Sequence, residues 1–225
     1  MALAEAGAQV VVHYSSSVKE AEAVVAEIRK SGGNADMIAA DLAKSDGPHV
    51  LAKAVRNIVG DRLDILVANA GVAKSATIEE MAIEDFDHLF AVNVRAPYFL
   101  VQQLLPILRT GSSIVLVSSL AARASVGNLS AYSATKGAVD TLVKHFAATL
   151  GARGIRINAV APGVIDTDMS SFANTDDGRD FILGIQALQR IGQSDDVGPA
   201  VAFLASHAAR WITGDTLRVD GGSKL

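Results

Sequence analysis

An α/β fold with a doubly wound parallel sheet, Rossmann-like, is predicted by three features of this 225-residue chain. Short runs that are apolar throughout alternate with longer segments of helical period, as parallel strands covered on both faces require. Half of the residues are hydrophobic and only 5% aromatic, which suits a packed core rather than a disordered chain. Polar residues gather just after the apolar runs, where ligands sit in open α/β sheets.

The elements follow in order. The sequence opens on what reads as the last turns of a helix, Ala2 to Ala6, stopped at Gly7. Val10 to Tyr14 is a strand, Val18 to Lys30 a helix closed by Gly32-Gly33, and Ala35 to Ala40 a second strand. Pro48 to Val59 reads as a helix and Leu63 to Ala68 as a buried strand. A long helix is predicted from about Glu84 to Leu108, with Phe86, Phe90, Val94, Tyr98 and Val101 at three- and four-residue spacing. Strands at Ser113–Val117 and Ile155–Val160 flank a helix at Ala131–Leu150. A helix near Asp196–Ala205 and a strand at Thr216–Val219 complete the series. Without an internal repeat or linker, residues 1–225 read as one domain.

Composition excludes several functions. A net charge of −4 offers no basic face for nucleic acid. There is no cysteine, hence no disulfide or thiolate site. The five histidines are scattered without ligand spacing, so no metal site is expected. No apolar run reaches the roughly 18 residues that span a membrane, and no basic leader opens the sequence. A cytoplasmic protein acting on a small molecule is the expectation.

The strongest chemical signal follows the Ser113–Val117 strand. Ser119 is succeeded thirteen residues later by Tyr132 and four further by Lys136. Tyr132 and Lys136 share a helix face. An ammonium beside a phenol favours the phenolate and is expected to lower a pKa that is ordinarily about 10. Such a tyrosine exchanges a proton with a carbonyl or alcohol oxygen. Alone, the Tyr–Lys spacing is also that of an ordinary exposed helical pair; the serine at a strand end is what points to chemistry.

These residues, in VSSLAARASVGNLSAYSATKGAV, resemble the catalytic signature of the short-chain dehydrogenase/reductase family, and the likeness to the 3-oxoacyl-(acyl-carrier-protein) reductase branch runs along nearly the whole chain. DILVANAG (64–71) is similar to the family's Asn-Asn-Ala-Gly element, with Ala68 in place of the first Asn. FAVNVRAPY (90–98) carries Asn93, INAVAPGVIDTDM (157–169) the Pro-Gly segment, and ITGDTLRVDGG (212–222) the C-terminal strand and turn.

The resemblance implies roles position by position. Tyr132 would be the general acid/base, with Lys136 lowering its pKa and holding the nicotinamide ribose. Ser119 would polarise the substrate carbonyl. Asn93 would hold a water linking Lys136 to solvent; a helix-interior amide bonded to backbone is the other reading. Asp41, next to Leu42, would meet the adenine, or else be a plain turn residue. Asn69, Ala70 and Gly71 would let the backbone pass close to the cofactor, since glycine has no Cβ to clash; a turn-only role for Gly71 stays open. Pro162, Gly163, Ile165 and Thr167 would lie along the nicotinamide amide and phosphates. Asp220-Gly221-Gly222 reads as a structural turn.

NADP(H) is favoured over NAD(H). Tyr14 stands where NAD-preferring members carry an aspartate for the adenosine ribose 2′-hydroxyl. Ser15, Ser16 and Ser17 can donate to a 2′-phosphate, although they also suit an ordinary loop. A substrate lid is expected at about 168–193, in which Phe172, Phe181, Ile182 and Leu188 either line an apolar pocket or pack the lid down. A homo-oligomer, tetramer or dimer, would pack through the 84–108 and 131–150 helices.

The family's first strand and Thr-Gly-x-x-x-Gly-x-Gly turn are absent from this sequence. That turn brings a helix N-terminus to the pyrophosphate. The expectation is a truncated form of an active enzyme, short of a unit of roughly 25 residues. The alternative is a natural short form serving as an inactive dinucleotide-fold binding or assembly module. Either way the inner edges of the Val10 and Leu63 strands are expected to be unpaired, at about 1–3 kcal/mol for each buried unpaired group.

Overall fold

The computed structural model describes residues 1–224. All six strands run parallel. β1 (Val10–Tyr14) pairs with β2 (Ala35–Ala39), while β3 (Leu63–Ala68), β4 (Leu108–Val117), β5 (Arg156–Pro162) and β6 (Thr216–Val219) form a four-stranded sheet in that order. β1 and β3 are not hydrogen-bonded to each other, as the expected unpaired edges require. The helices are α1 (Ala2–Glu5), α2 (Val18–Lys30), α3 (Gly47–Val59), α4 (Ile83–Phe90), α5 (Ala96–Leu104), α6 (Ser130–Leu150), α7 (Asp176–Ile185) and α8 (Ser194–Ala205).

Side-chain alternation along the strands builds two layers of core. Ile114 and Leu116 of β4 with Ile157 and Ala159 of β5 pack towards the helices α3, α5 and α6. Val115 and Val160 turn to the opposite face, against Leu204 of α8. Because successive strand residues point to opposite faces, the unbroken apolar run Ile114–Val117 of β4 holds helices on both sides. α2 buries Ala21, Val25 and Ile28 at four- and three-residue spacing, and that stripe covers β1 and β2.

The long helix expected over 84–108 is not continuous. α4 passes into a π-helical turn at Ala91–Arg95, α5 ends at Leu104, and Leu108 already belongs to β4. The cause of the stop is Pro106, which lacks the N–H that a continuing helix needs. β4 then begins five residues earlier than the apolar run suggests, with a register irregularity opposite Leu63 and Ile65. Among the described residues no helix is long and apolar enough to cross a membrane.

Candidate active site

β4 delivers Ser118 and Ser119 at its carboxyl end. Ser119 is extended (φ −165, ψ 156) and its Oγ accepts from Ala121 N at 3.1 Å, capping a short 3-10 turn. The chain returns as α6, whose first turn sets the Tyr132 phenol near enough to the Ser119 side chain for the serine to favour the phenolate. Lys136, one turn on, is only 5% exposed. Its Nζ donates to Val117 O at 2.8 Å and lies 5.6 Å from the centroid of the Tyr132 ring.

The electrostatics differ from the expectation in one respect. The Tyr132 phenol sits above, not below, its ordinary pKa: burial disfavours the phenolate, and the nearby Ser119 side chain only partly opposes this. The Lys136 ammonium, which was to lower it, lies over the ring and is directed at a carbonyl. Burial also pulls Lys136 down to about 8, with Asp140 one turn further along α6 acting the other way.

Asn93 lies in the π-helical turn, a distortion frequent at functional sites. Its side chain is fully engaged. Nδ2 donates to Val72 O (2.8 Å) and Thr135 Oγ1 (3.1 Å), and Oδ1 accepts from Val72 N at 2.9 Å. The backbone-bonding alternative therefore describes this amide, which clasps the loop after β3 to α6. Gly71 fits that clasp: a Cβ there would lie 3.3 Å from Asn93 Oδ1 and 3.5 Å from Lys136 Nζ. Asn69 and Ala70, just before it, are exposed. Ser119, Tyr132, Lys136, Asn93 and Gly71 thus form one cluster. Thr135, which also donates to Tyr132 O at 2.6 Å, belongs to it and was missed. Its signal was a threonine next to Lys136 on the same inward helical stripe.

A second group sits at the ends of β1 and β2. Tyr14 is half-buried and Ser15, Ser16 and Ser17 are exposed. Ala40 N donates to Tyr14 O (3.0 Å), and His13 Nε2 lies 2.8 Å from Ala40 O. Asp41 Oδ1 accepts from Ala43 N at 3.0 Å, the plain turn role, beside a buried Leu42. Arg95, two residues beyond Asn93, reaches Ala43 O, so this group and the first are tied through the π-helical turn. Pro162, Gly163, Ile165 and Thr167 form a third group after β5. Gly163 abuts Asp220 so closely that a Cβ would come within 2.9 Å of its Cα. Ile165 is bridged to Gly192, and Thr167 Oγ1 donates to Ile165 O at 3.4 Å.

All three groups lie along the carboxyl ends of the strands. At Gly71 the missing Cβ leaves the backbone bare beside Lys136 and Asn93, as a close-passing ribose and nicotinamide would need. The exposed serines after β1 have the donors for an adenosine phosphate. These residues fit the two ends of a dinucleotide. Among the described residues no glycine-rich turn joins a strand end to a helix N-terminus.

In segment 168–193, expected to form a lid, Ile182 is buried while Phe172, Phe181 and Leu188 are exposed, so of these four only Ile182 packs the segment down. A cavity of about 470 Å³ opens among the residues of this segment and its approach, bordered by Asp166, Thr175, Asp176, Arg179 and Arg190.

Residues 1–224 match the family model described as enoyl-(acyl carrier protein) reductase. The chain is 37% identical to versicolorin reductase of Emericella nidulans, over 99% of this chain and 89% of that protein. It is 39% identical to 3-oxoacyl-(acyl-carrier-protein) reductase of Staphylococcus epidermidis, over 98% and 90%. Among solved structures, the angucycline C-6 ketoreductase LanV with bound NADP superposes with a TM-score of 0.92 at 35% identity, covering 100% of this chain and 90% of that one.

Proposed function

Because the chain belongs to the short-chain dehydrogenase/reductase family, we propose that it interconverts a ketone and a secondary alcohol with NADP(H), Tyr132 carrying the proton. The observation that carries this reading is a buried Lys136 whose Nζ lies 5.6 Å from the centroid of the Tyr132 ring, with Ser119 at the adjoining strand end. The cofactor would supply a hydride to the carbonyl carbon. Ser119 and Tyr132 hydroxyls would both hydrogen-bond the carbonyl oxygen, and the Tyr132 proton passes to that oxygen as it gains charge. A phenol whose pKa is raised is fully protonated at neutral pH, which suits reduction. Lys136, with a pKa near 8, is placed to hold the nicotinamide ribose and restore the proton. Asn93 acts by clasping the Gly71–Val72 loop.

NADP(H) is preferred because no carboxylate follows β1 to repel a 2′-phosphate and three exposed serines can bind one. The NADP bound by LanV and the NADPH bound by a metagenomic blue fluorescent relative support this. For the substrate, the lid argues for an uncharged apolar ketone free of a carrier. Met169, Phe172, Phe181 and Leu188 are exposed on it, and residues 166–196 carry seven aspartates against two arginines. That net of minus five exceeds the charge of the whole chain, −4, and repels polyanionic partners. Relatives named for versicolorin, trihydroxynaphthalene and angucycline reduction fit this class.

The reading includes a single domain in the cytoplasm and a homo-oligomer packed through α4, α5 and α6, with Ile83, Phe86 and Tyr98 exposed on the first two; light scattering reads the mass directly. The functional test is consumption of NADPH and NADH with a panel of polycyclic ketones and 3-oxoacyl thioesters. The account expects turnover with NADPH and free ketones. No turnover with any ketone, with NADPH bound, would instead make this a binding module.

A further inference from the structure

The motif left over from the sequence, Asp220-Gly221-Gly222, lies where three parts of the site meet. Asp220 has a side chain only 4% exposed. Its Oδ2 accepts from Arg218 Nε at 3.0 Å and Arg123 Nη2 at 3.4 Å, and its Oδ1 from Gly222 N at 3.1 Å. A buried carboxylate is tolerated only when so paired. Gly221 (φ +61) and Gly222 (φ +73) are both left-handed, so the turn needs glycine at each.

Each neighbour of this turn belongs to the site. Arg123 stands four residues after Ser119, and Lys224 Nζ donates to Ser125 O at 2.9 Å, so two side chains hold the loop between Ser119 and Tyr132. On the lid side, Ala187 N and Leu188 N donate to Gly221 O at 3.1 and 2.9 Å, and Lys224 N donates to Ile185 O. The buried Gln186 carboxamide is tied back to Leu188 O and Arg190 O. On the third side the turn presses on Gly163, whose N donates to Val219 O at 3.1 Å. A cavity of about 270 Å³ remains between Gly163, Gln186, Leu188 and Asp220, room for the lid to shift against the turn.

We propose that this turn is a positioning element coupling the substrate lid to the Ser119–Tyr132 loop, with the Asp220–Arg123 contact as its latch. Neither residue is a catalytic group. Arg123 transmits the position of the turn to the loop carrying Ser119, while the Gly221 carbonyl transmits it to Ala187 and Leu188. A lid held down by substrate therefore braces the loop that must aim Ser119 and Tyr132 at the carbonyl.

The kinetic half of this inference rests on the proposed reductase reading; the structural half does not. Arg123→Met, Asp220→Asn and the double variant are compared by hydrogen exchange on the intact protein and by turnover. Arg123 is partly exposed, so its truncation leaves the core alone. The proposal expects Arg123→Met to speed exchange of lid amides at 185–190 as well as those at 120–128. It expects each single variant to raise the ketone KM about tenfold with a smaller change in kcat, and the double variant to be no worse than either single one. Arg123→Lys restores part of the loss. Faster exchange confined to 120–128 in Arg123→Met, or additive kinetic losses, would overturn the latch. Absent turnover in the wild type would instead count against the reductase reading, leaving the exchange result to decide the latch alone.

Discussion

Lys136 has its charge pulled out of water on a helix face that would stabilise an apolar side chain. Its pKa falls from 10.5 to about 8 through burial, against the opposing pull of Asp140. The folded form therefore sheds its proton before the unfolded chain does. Between pH 8 and 10.5 the unfolded chain binds more protons, so stability rises with pH across that window. Lys136→Met is expected to raise stability at neutral pH by about 1–3 kcal/mol, to flatten that rise in pH-dependent melts, and to abolish turnover. The rate of reduction should fall as pH climbs through about 8, as the proton that restores Tyr132 is lost. Ser119, Tyr132 and Lys136 were legible in the sequence because a strand end and a four-residue helical step fix where they point. The direction of the Tyr132 shift was not, because burial is a property of the packed site.

At the scale of elements, the helix carrying Asn93 decides the geometry. The π-helical turn at Ala91–Arg95 directs Asn93 at Val72 while Arg95, two residues on, reaches Ala43 O. The spacing of Phe86, Phe90, Val94, Tyr98 and Val101 predicts one helix here, and its expected end at Leu108 runs across Pro106. The proline was the visible stop signal, whereas nothing local marks the π turn. Most other boundaries were legible to within a residue or two, since the apolar centres of the strands give way to polar residues such as Ser15, Asn69, Ser118 and Asp220 at their carboxyl ends. Gly71→Ala tests the clasp. The added methyl would press on Asn93 Oδ1 and Lys136 Nζ, so kcat should drop about tenfold with the melting temperature shifted by only a few degrees. An unchanged kcat would mean that the loop after β3 gives way without disturbing Lys136.

Over the whole molecule, the parallel sheet sets three polar groups along one edge, and its two parts share a core although β1 and β3 do not pair. In the proposed reading, the end of β1 meets the adenosine side of the cofactor. Tyr14→Asp is expected to swing preference towards NADH by about tenfold or more, measured as the ratio of kcat/KM values; an unchanged ratio would move the 2′-phosphate contact elsewhere. At the other end of that edge Ser119 and Lys136 surround one phenol, the proposed acid of the reaction. The most direct measurement is single-turnover reduction of a free apolar ketone by wild type and Tyr132→Phe, with NADPH affinity measured in parallel. The account predicts a loss of at least about a hundredfold in the rate with NADPH affinity little changed; a variant that keeps most of its rate would contradict it.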